Sequence, residues 1–189
     1  RVPERPRVFG LGVGGNVNFE LTMIREHGAI VDTFDPTPFS TEWLASQVLP
    51  AGFNHHPWAV TATDGAVRLE QRKAARPGAA PMLSLVPARE GGSGAVTVEG
   101  LRLPTIVRRL GCPVPDLLRM DIEGAEYPVL EDMVASRFLP AQLLVEFHHR
   151  FPEVGLEATR RAVATLRSAG YRVAAVSDTG REVTFVRSA

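Results

Sequence analysis

The sequence predicts an α/β fold: a mostly parallel sheet with helices on both faces, closed by an antiparallel strand pair. Three observations carry this. Short apolar runs alternate along the chain with segments of helical periodicity. The first run, "RVFGLGV", opens into glycines and then into a helix-like stretch, as a parallel strand–loop–helix unit does. The tail, "YRVAAVSDTGREVTFVRS", reads as two strands joined by a tight turn, which puts an antiparallel edge at the end of the chain.

The elements follow in order. Arg7 to Val13 is a strand. "NVNFELTMIREHG" is a helix, because Phe19, Met23, Ile24 and His27 recur near a 3.6 period; Asn16 or Asn18 caps its start and Gly28 stops it. "AIVDTFDP" is the second strand, closed by Pro36, and a short helix spans Thr41 to Val48. "WAVTATDGAVRLEQR" reads as a strand, an Asp-Gly turn and a returning strand. Residues 73–100, rich in Gly, Pro and Ala, form a mobile segment that can act as a lid. Then "LPTIVRRLG" is a helix, "PDLLRMD" a strand, and "AEYPVLEDMVAS" a helix with Pro128 in its first turn, where a missing N–H costs little. "AQLLVEFHH" is a strand and "LEATRRAVATLRSAG" an amphipathic helix stopped by Gly170. There is no internal repeat, and residues 1–189 read as one domain.

Composition narrows the function. Apolar residues make up 44%, the share of an ordinary globular core. Formal net charge is zero and no basic run occurs, so a nucleic-acid partner is not expected. Lys73 is the only lysine. Cys112 stands alone, which fits a reducing cytoplasm and excludes an internal disulfide framework. No stretch approaches the roughly 20 apolar residues of a membrane span, so no membrane partner is expected. No apolar seam sets an oligomeric state.

"GLGVGG" fits G-x-G-x-x-G through Gly10, Gly12 and Gly15, after a strand and before a helix. Glycines let the backbone approach a ligand, and the helix start offers free N–H groups. Asp35 ends the second strand about 20 residues further on, where an acid accepts bonds from ribose hydroxyls. A nucleoside cofactor is expected, and the loop alone admits NAD as well as S-adenosylmethionine. The plain alternative is a Gly-rich turn with Asp35 capping a loop.

"DLLRMDIEGAEYPVLE" places Asp121, Glu123 and Glu126 where a buried strand becomes a helix. Glu123 and Glu126 fall in the first helical turn, where negative charge is favoured by about 0.3–1 kcal/mol each; Glu126 orients the loop rather than meeting substrate.

This stretch resembles the FkbM-type S-adenosylmethionine-dependent methyltransferases, which carry a strand ending in Asp-Ile/Val-Glu-Gly-Ala-Glu. "FGLGVGGNVNFE", "TFDPTP" and "QLLVEFHHRF" are similar to that family's first loop, second strand end and following core strand. The first loop departs from it at Gly14, Gly15 and Asn16. The resemblance implies a Rossmann-like class I methyltransferase fold, a seven-stranded sheet whose last strand is antiparallel. It implies methyl transfer to a hydroxyl of a small molecule, sugar or natural product. It assigns the methionine part of the cofactor to Gly10 and Gly12, the ribose to Asp35, the adenine amine to Asp64, and the cofactor's amino group or the substrate to Asp121; Gly14 and Asn16 of the same loop are also expected to meet the cofactor.

A hydroxyl acceptor needs a base. Glu146 and His148 share one face if the strand "LLVEFHH" stays extended, and His148 has an ordinary pKa near ~6.5. Alternatively Glu146 pairs with an arginine and the histidines cover the sheet edge. His149 points away. His55 and His56 read as loop surface, or with Trp58 as a substrate mouth. Asp121, Glu146 and His148 are also an alternative ligand set for a divalent ion. No short fixed spacing marks a metal motif, so metal is not the favoured reading. Two rivals remain in view: an NAD-dependent oxidoreductase, and a non-catalytic adenosine-binding module.

Overall fold

The structure is a computed structural model that describes residues 3–72, 82–86 and 94–187. Strands β1 (Arg7–Leu11), β2 (Ile30–Phe34) and β3 (Phe53–His56) are joined through helices α1 (Asn18–His27) and α2 (Pro38–Ala45). Four short strands follow: β4 (Ala59–Val60), β5 (Gly65–Arg72), β6 (Met82–Ser84) and β7 (Ala95–Leu101). Helix α3 (Leu103–Leu110) leads to β8 (Leu117–Met120), α4 (Glu126–Ala135), β9 (Gln142–Glu146), α5 (Gly155–Ser168), β10 (Tyr171–Val176) and β11 (Glu182–Arg187).

The main sheet has seven strands in the order β3-β2-β1-β8-β9-β11-β10. All pairings among β3, β2, β1, β8 and β9 are parallel, and β11 is antiparallel to both its neighbours. The expected α/β class and its antiparallel last strand are therefore present. The antiparallel strand is not the edge, however. It is inserted between β9 and β10 and pairs with both, which leaves β10 as the edge strand.

Alternation along each strand builds the two layers. Phe9, Leu11, Leu118, Met120, Leu143, Val145 and Phe185 face one way into the larger core with Ile106, Leu130 and Leu166 of the helices. Val8, Val31 and Leu117 face the other way against Met23 and Ala29. Helix α1 ends at Gly28, whose left-handed φ of 60° fits the predicted stop. Its start is not capped by asparagine: Val17 holds the cap position with no side-chain bond, and Asn16 Oδ1 instead accepts the Asn18 N–H at 3.0 Å.

The expected β4–β5 hairpin does not form. A second, four-stranded sheet has the order β4-β7-β5-β6, so β7 lies between the two. The Asp-Gly step is held elsewhere, because Asp64 accepts the Arg102 N–H at 2.8 Å and the Thr105 hydroxyl at 2.7 Å. The short helix starts earlier than expected, at Pro38, with Thr37 accepting the Ser40 N–H as its cap. Of the segment expected to be a lid, β6 and β7 are ordered strands, and residues 73–81 and 87–93 lie outside the described residues.

Candidate active site

The chain leaves β1 toward β2 on one side and β8 lies on the other, so a crevice opens above the carboxyl ends of these strands. It holds a cavity of about 250 Å³. Gly12, Val13 and Gly14 form one wall, Asp35, Thr37, Phe39 and Ser40 a second, and Asp121, Ile122 and Glu123 a third. The small sheet roofs it with Val60, Leu69, Leu83 and Leu85.

Gly12 is fixed by sterics. Its φ is +75°, and a Cβ there would stand 1.8 Å from the Asp121 carbonyl oxygen. The first and third walls therefore touch backbone to backbone, which only glycine permits.

Asp35 is nearly buried, at 5% exposure, and its carboxylate is fully engaged. Oδ2 accepts the N–H groups of Val13 (3.1 Å) and Gly14 (3.0 Å) and the Ser40 hydroxyl (2.8 Å). Oδ1 accepts the N–H and hydroxyl of Thr37 at 2.9 and 2.7 Å. Asp35 thus ties the glycine loop to the start of α2. The two hydroxyls can rotate away and be replaced by ligand hydroxyls; the backbone donors cannot.

The third wall is a tight turn with Glu123 at φ 55° and Gly124 at φ 98°. Fully buried Glu126 organises it, as expected of that residue. Its carboxylate accepts the Ile122 N–H at 2.9 Å and the Gly124 N–H at 3.0 Å, and Oε1 meets His148 Nδ1 at 3.0 Å. The roof is latched to this turn, since the Ser84 hydroxyl donates to the Glu123 carbonyl.

Behind the turn stand the remaining predicted groups. Strand β9 ends at Glu146, so His148 is not on an extended strand, yet it still reaches Asp121 and Glu146. His148 Nε2 lies 3.1 Å from Glu123 Oε2 and 3.9 Å from Asp121 Oδ1. Burial alone would lower the His148 pKa, but the Glu123 and Glu126 carboxylates outweigh it and push it up to about 10. The two flanking acids thus favour the protonated imidazole while no other cation lies beside it. Asp121 moves the other way from an ordinary carboxylate. Burial first, then the nearby charge of Glu146, raises it to about 7, with Arg119 opposing. Glu146 pairs with Arg181 at 3.1 Å.

Of the other expected residues, Gly14 lines the cavity, and Gly10, Asn16 and Asp64 do not. Gly10 lies within β1, Asn16 borders a shallow groove beside Trp43, and Asp64 anchors α3. His55 and His56 are strand residues of β3 and not loop surface; His56 packs against both Phe34 and Trp58, which also touch each other, and bonds Asp32 at 3.1 Å.

Two charged residues escaped the sequence reading. Arg119 donates to the Gly12 carbonyl at 2.9 Å and to Asp121 at 3.2 Å. Glu20 of α1 is fully buried, 3.5 Å from Arg119, and neither carboxylate oxygen has a hydrogen bond. Its Oε1 stands 2.9 Å from where a Cβ on Gly10 would lie, so the missing side chain at position 10 makes its room. A charge inside the apolar run "LLRM" was the available signal for Arg119.

A family model for the methyltransferase FkbM domain matches residues 13–173. The chain belongs to the FkbM methyltransferase family. It is thus an S-adenosylmethionine-dependent methyltransferase, and the oxidoreductase rival is set aside. No curated protein matches the sequence. Among solved structures, this methyltransferase is similar to a fibrillarin pre-rRNA processing protein of Methanococcus jannaschii, at 10% identity and TM-score 0.58, over 97% of this chain and 67% of that one. It is similar to a chain of a fibrillarin/Nop5p complex, at 12% identity and TM-score 0.59, over 98% and 74%. It also resembles a precorrin-6y C5,15-methyltransferase from Geobacter metallireducens, at 11% identity and TM-score 0.50, over 100% and 83%. These likenesses show the fold. No helix of the described residues is long and apolar enough to cross a membrane.

Proposed function

We propose that this methyltransferase methylates a hydroxyl oxygen of a small molecule, such as a sugar or natural product, in the cytoplasm. The observation that carries the reading is that one cavity joins a nucleoside-type wall to an acid wall. The donor set fits the cofactor: carboxylates at two sides suit a ribose diol and a cationic amino-acid end, and the apolar roof suits a flat base. Asp35 would accept ribose hydroxyls in place of those of Thr37 and Ser40. Gly12 and Gly14 leave the backbone open to the amino-acid part, and Asp121 would meet its ammonium. When bound, the cofactor supplies an already activated methyl group.

The protein's work is then alignment and proton removal. Alignment of an acceptor can supply on the order of 7–11 kcal/mol, and a positioned base about 10²- to 10⁴-fold in rate. Asp121 and Glu146, at the ends of adjacent strands, are the groups placed to receive the acceptor, with His148 and Arg119 as their positive neighbours. A small cavity and a chain of zero net charge favour a small neutral acceptor over a polyanion.

Calorimetric titration with S-adenosylhomocysteine and, separately, NAD tests the cofactor. Binding of the first alone is expected; binding of NAD alone overturns the reading. A methyl-transfer screen of hydroxylated acceptors follows, and cofactor binding without turnover on any of them would favour a non-catalytic module.

A further inference from the structure

We propose that Asp121, Glu146 and His148 bind a divalent cation of the manganese type at the edge of the cavity. One ligand atom from each residue lies within 4.8 Å of the other two. An octahedral ion with bonds near ~2.1 Å spaces its ligands roughly 3–4 Å apart. Small side-chain rotations close the set. Carboxylate oxygens with one imidazole suit manganese better than zinc, whose structural sites are rich in sulfur and nitrogen.

A second observation points the same way. His148 is nine-tenths buried, and Glu126 holds its Nδ1 at 3.0 Å. That leaves Nε2 aimed at the carboxylates, the arrangement by which a buried acid orients a metal-binding imidazole. Nε2 lies 3.1 Å from Glu123 Oε2, and an ion bound there would take the place of the proton between them. Asp121 and Glu123 both face Nε2 and Glu146 lies in the same group, so a cation among them offsets the repulsion of three carboxylates. Asp121 would give Oδ1, which faces His148, while Oδ2 stays with Arg119.

The competing view is that Arg119, Arg181 and His148 neutralise the acids by themselves. It divides each arginine, since Arg119 also serves the Gly12 carbonyl and Arg181 also approaches Glu182, and it gives Glu123 only the imidazole it shares with Glu126. The role of the ion rests on the methyl-transfer reading: it would hold the acceptor's oxygen and favour loss of that hydroxyl's proton to water.

The test is titration of chelator-stripped protein with manganese chloride, following the free ion by its electron paramagnetic resonance signal. One ion per chain is expected. Glu146→Gln should weaken binding about 10-fold or more, and Glu126→Gln by about 10–100-fold, the range for a lost supporting carboxylate. Glu131→Gln, an exposed acid on α4, should change nothing. Glu146 is a quarter exposed, so its variant should fold, and a thermal melt checks this. No bound manganese, or equal binding by every variant (surface ions only), overturns the proposal. S-adenosylhomocysteine titrated into the same samples separates the two readings. Its binding without manganese sinks only the ion site, and manganese without it sinks only the cofactor assignment.

Discussion

Two carboxylates face each other across the cavity, and they live differently. Asp35 receives five hydrogen bonds, from two loop N–H groups, two hydroxyls and the Thr37 N–H. Asp121 receives one side-chain donor, Arg119 at 3.2 Å, and stands among Glu146 and Glu123. Both are largely shielded from water. What separates them is the supply of donors, since a buried carboxylate with bonds is stable and one without them seeks a proton or a cation. The Asp35 side is a scaffold already set. The Asp121 side is held under electrostatic tension that a ligand can relieve.

The contrast can be broken most strongly at the point where the two walls meet. Gly12→Ala drives a Cβ into the Asp121 carbonyl and should cost about 4 kcal/mol or more, read by denaturant unfolding. Survival at near-parental stability would mean that the walls are not in contact. Glu126→Ala should come next. It strips two turn N–H groups and His148 of their acceptor, for about 3 kcal/mol, and should also collapse the acid wall. On the scaffold side, Asp35→Ala should cost about 1–3 kcal/mol, the penalty for loop donors left unpaired, and weaken S-adenosylhomocysteine by a similar amount. Unchanged affinity would remove Asp35 from the ribose site.

The smallest effect has the opposite sign. Burial, only partly offset by Arg119, raises the Glu20 pKa above its ordinary 4.5. A raised acid contributes fully below that value, and its contribution is lost as pH rises through the folded pKa. Glu20→Gln should therefore leave melting temperature unchanged near pH 4 and raise it slightly toward neutrality. A loss at neutral pH would show that the Arg119 pairing outweighs desolvation.

Much of this was legible because local pattern and fold agree. The apolar run of β8, the Gly28 stop and the Pro128 helix start are set by neighbours in sequence. So is Glu126, whose bonds reach two and four residues back along the chain. Long-range pairing was not legible. Nothing in "TATDGAVRL" says that β7 will separate β4 from β5, because an Asp-Gly step suits a hairpin equally well until another strand competes. The acids around His148 were hidden for the same reason: Glu123 and Glu126 are remote from it in sequence and meet it only in the fold. Glu20 was invisible because its burial depends on what Gly10 lacks.

The position of β7 also sets when each part of the cavity becomes available along the chain. β1, β2 and β3 can pair once residue 56 has been made, since all three precede it. Strands β4 and β5 find their shared neighbour only when Ala95–Leu101 arrives, and β1 meets β8 later still. During synthesis the residues of the glycine and Asp35 walls are therefore made first, those of the roof second and those of the acid wall last, so a chain ending before residue 121 lacks one side of the cavity.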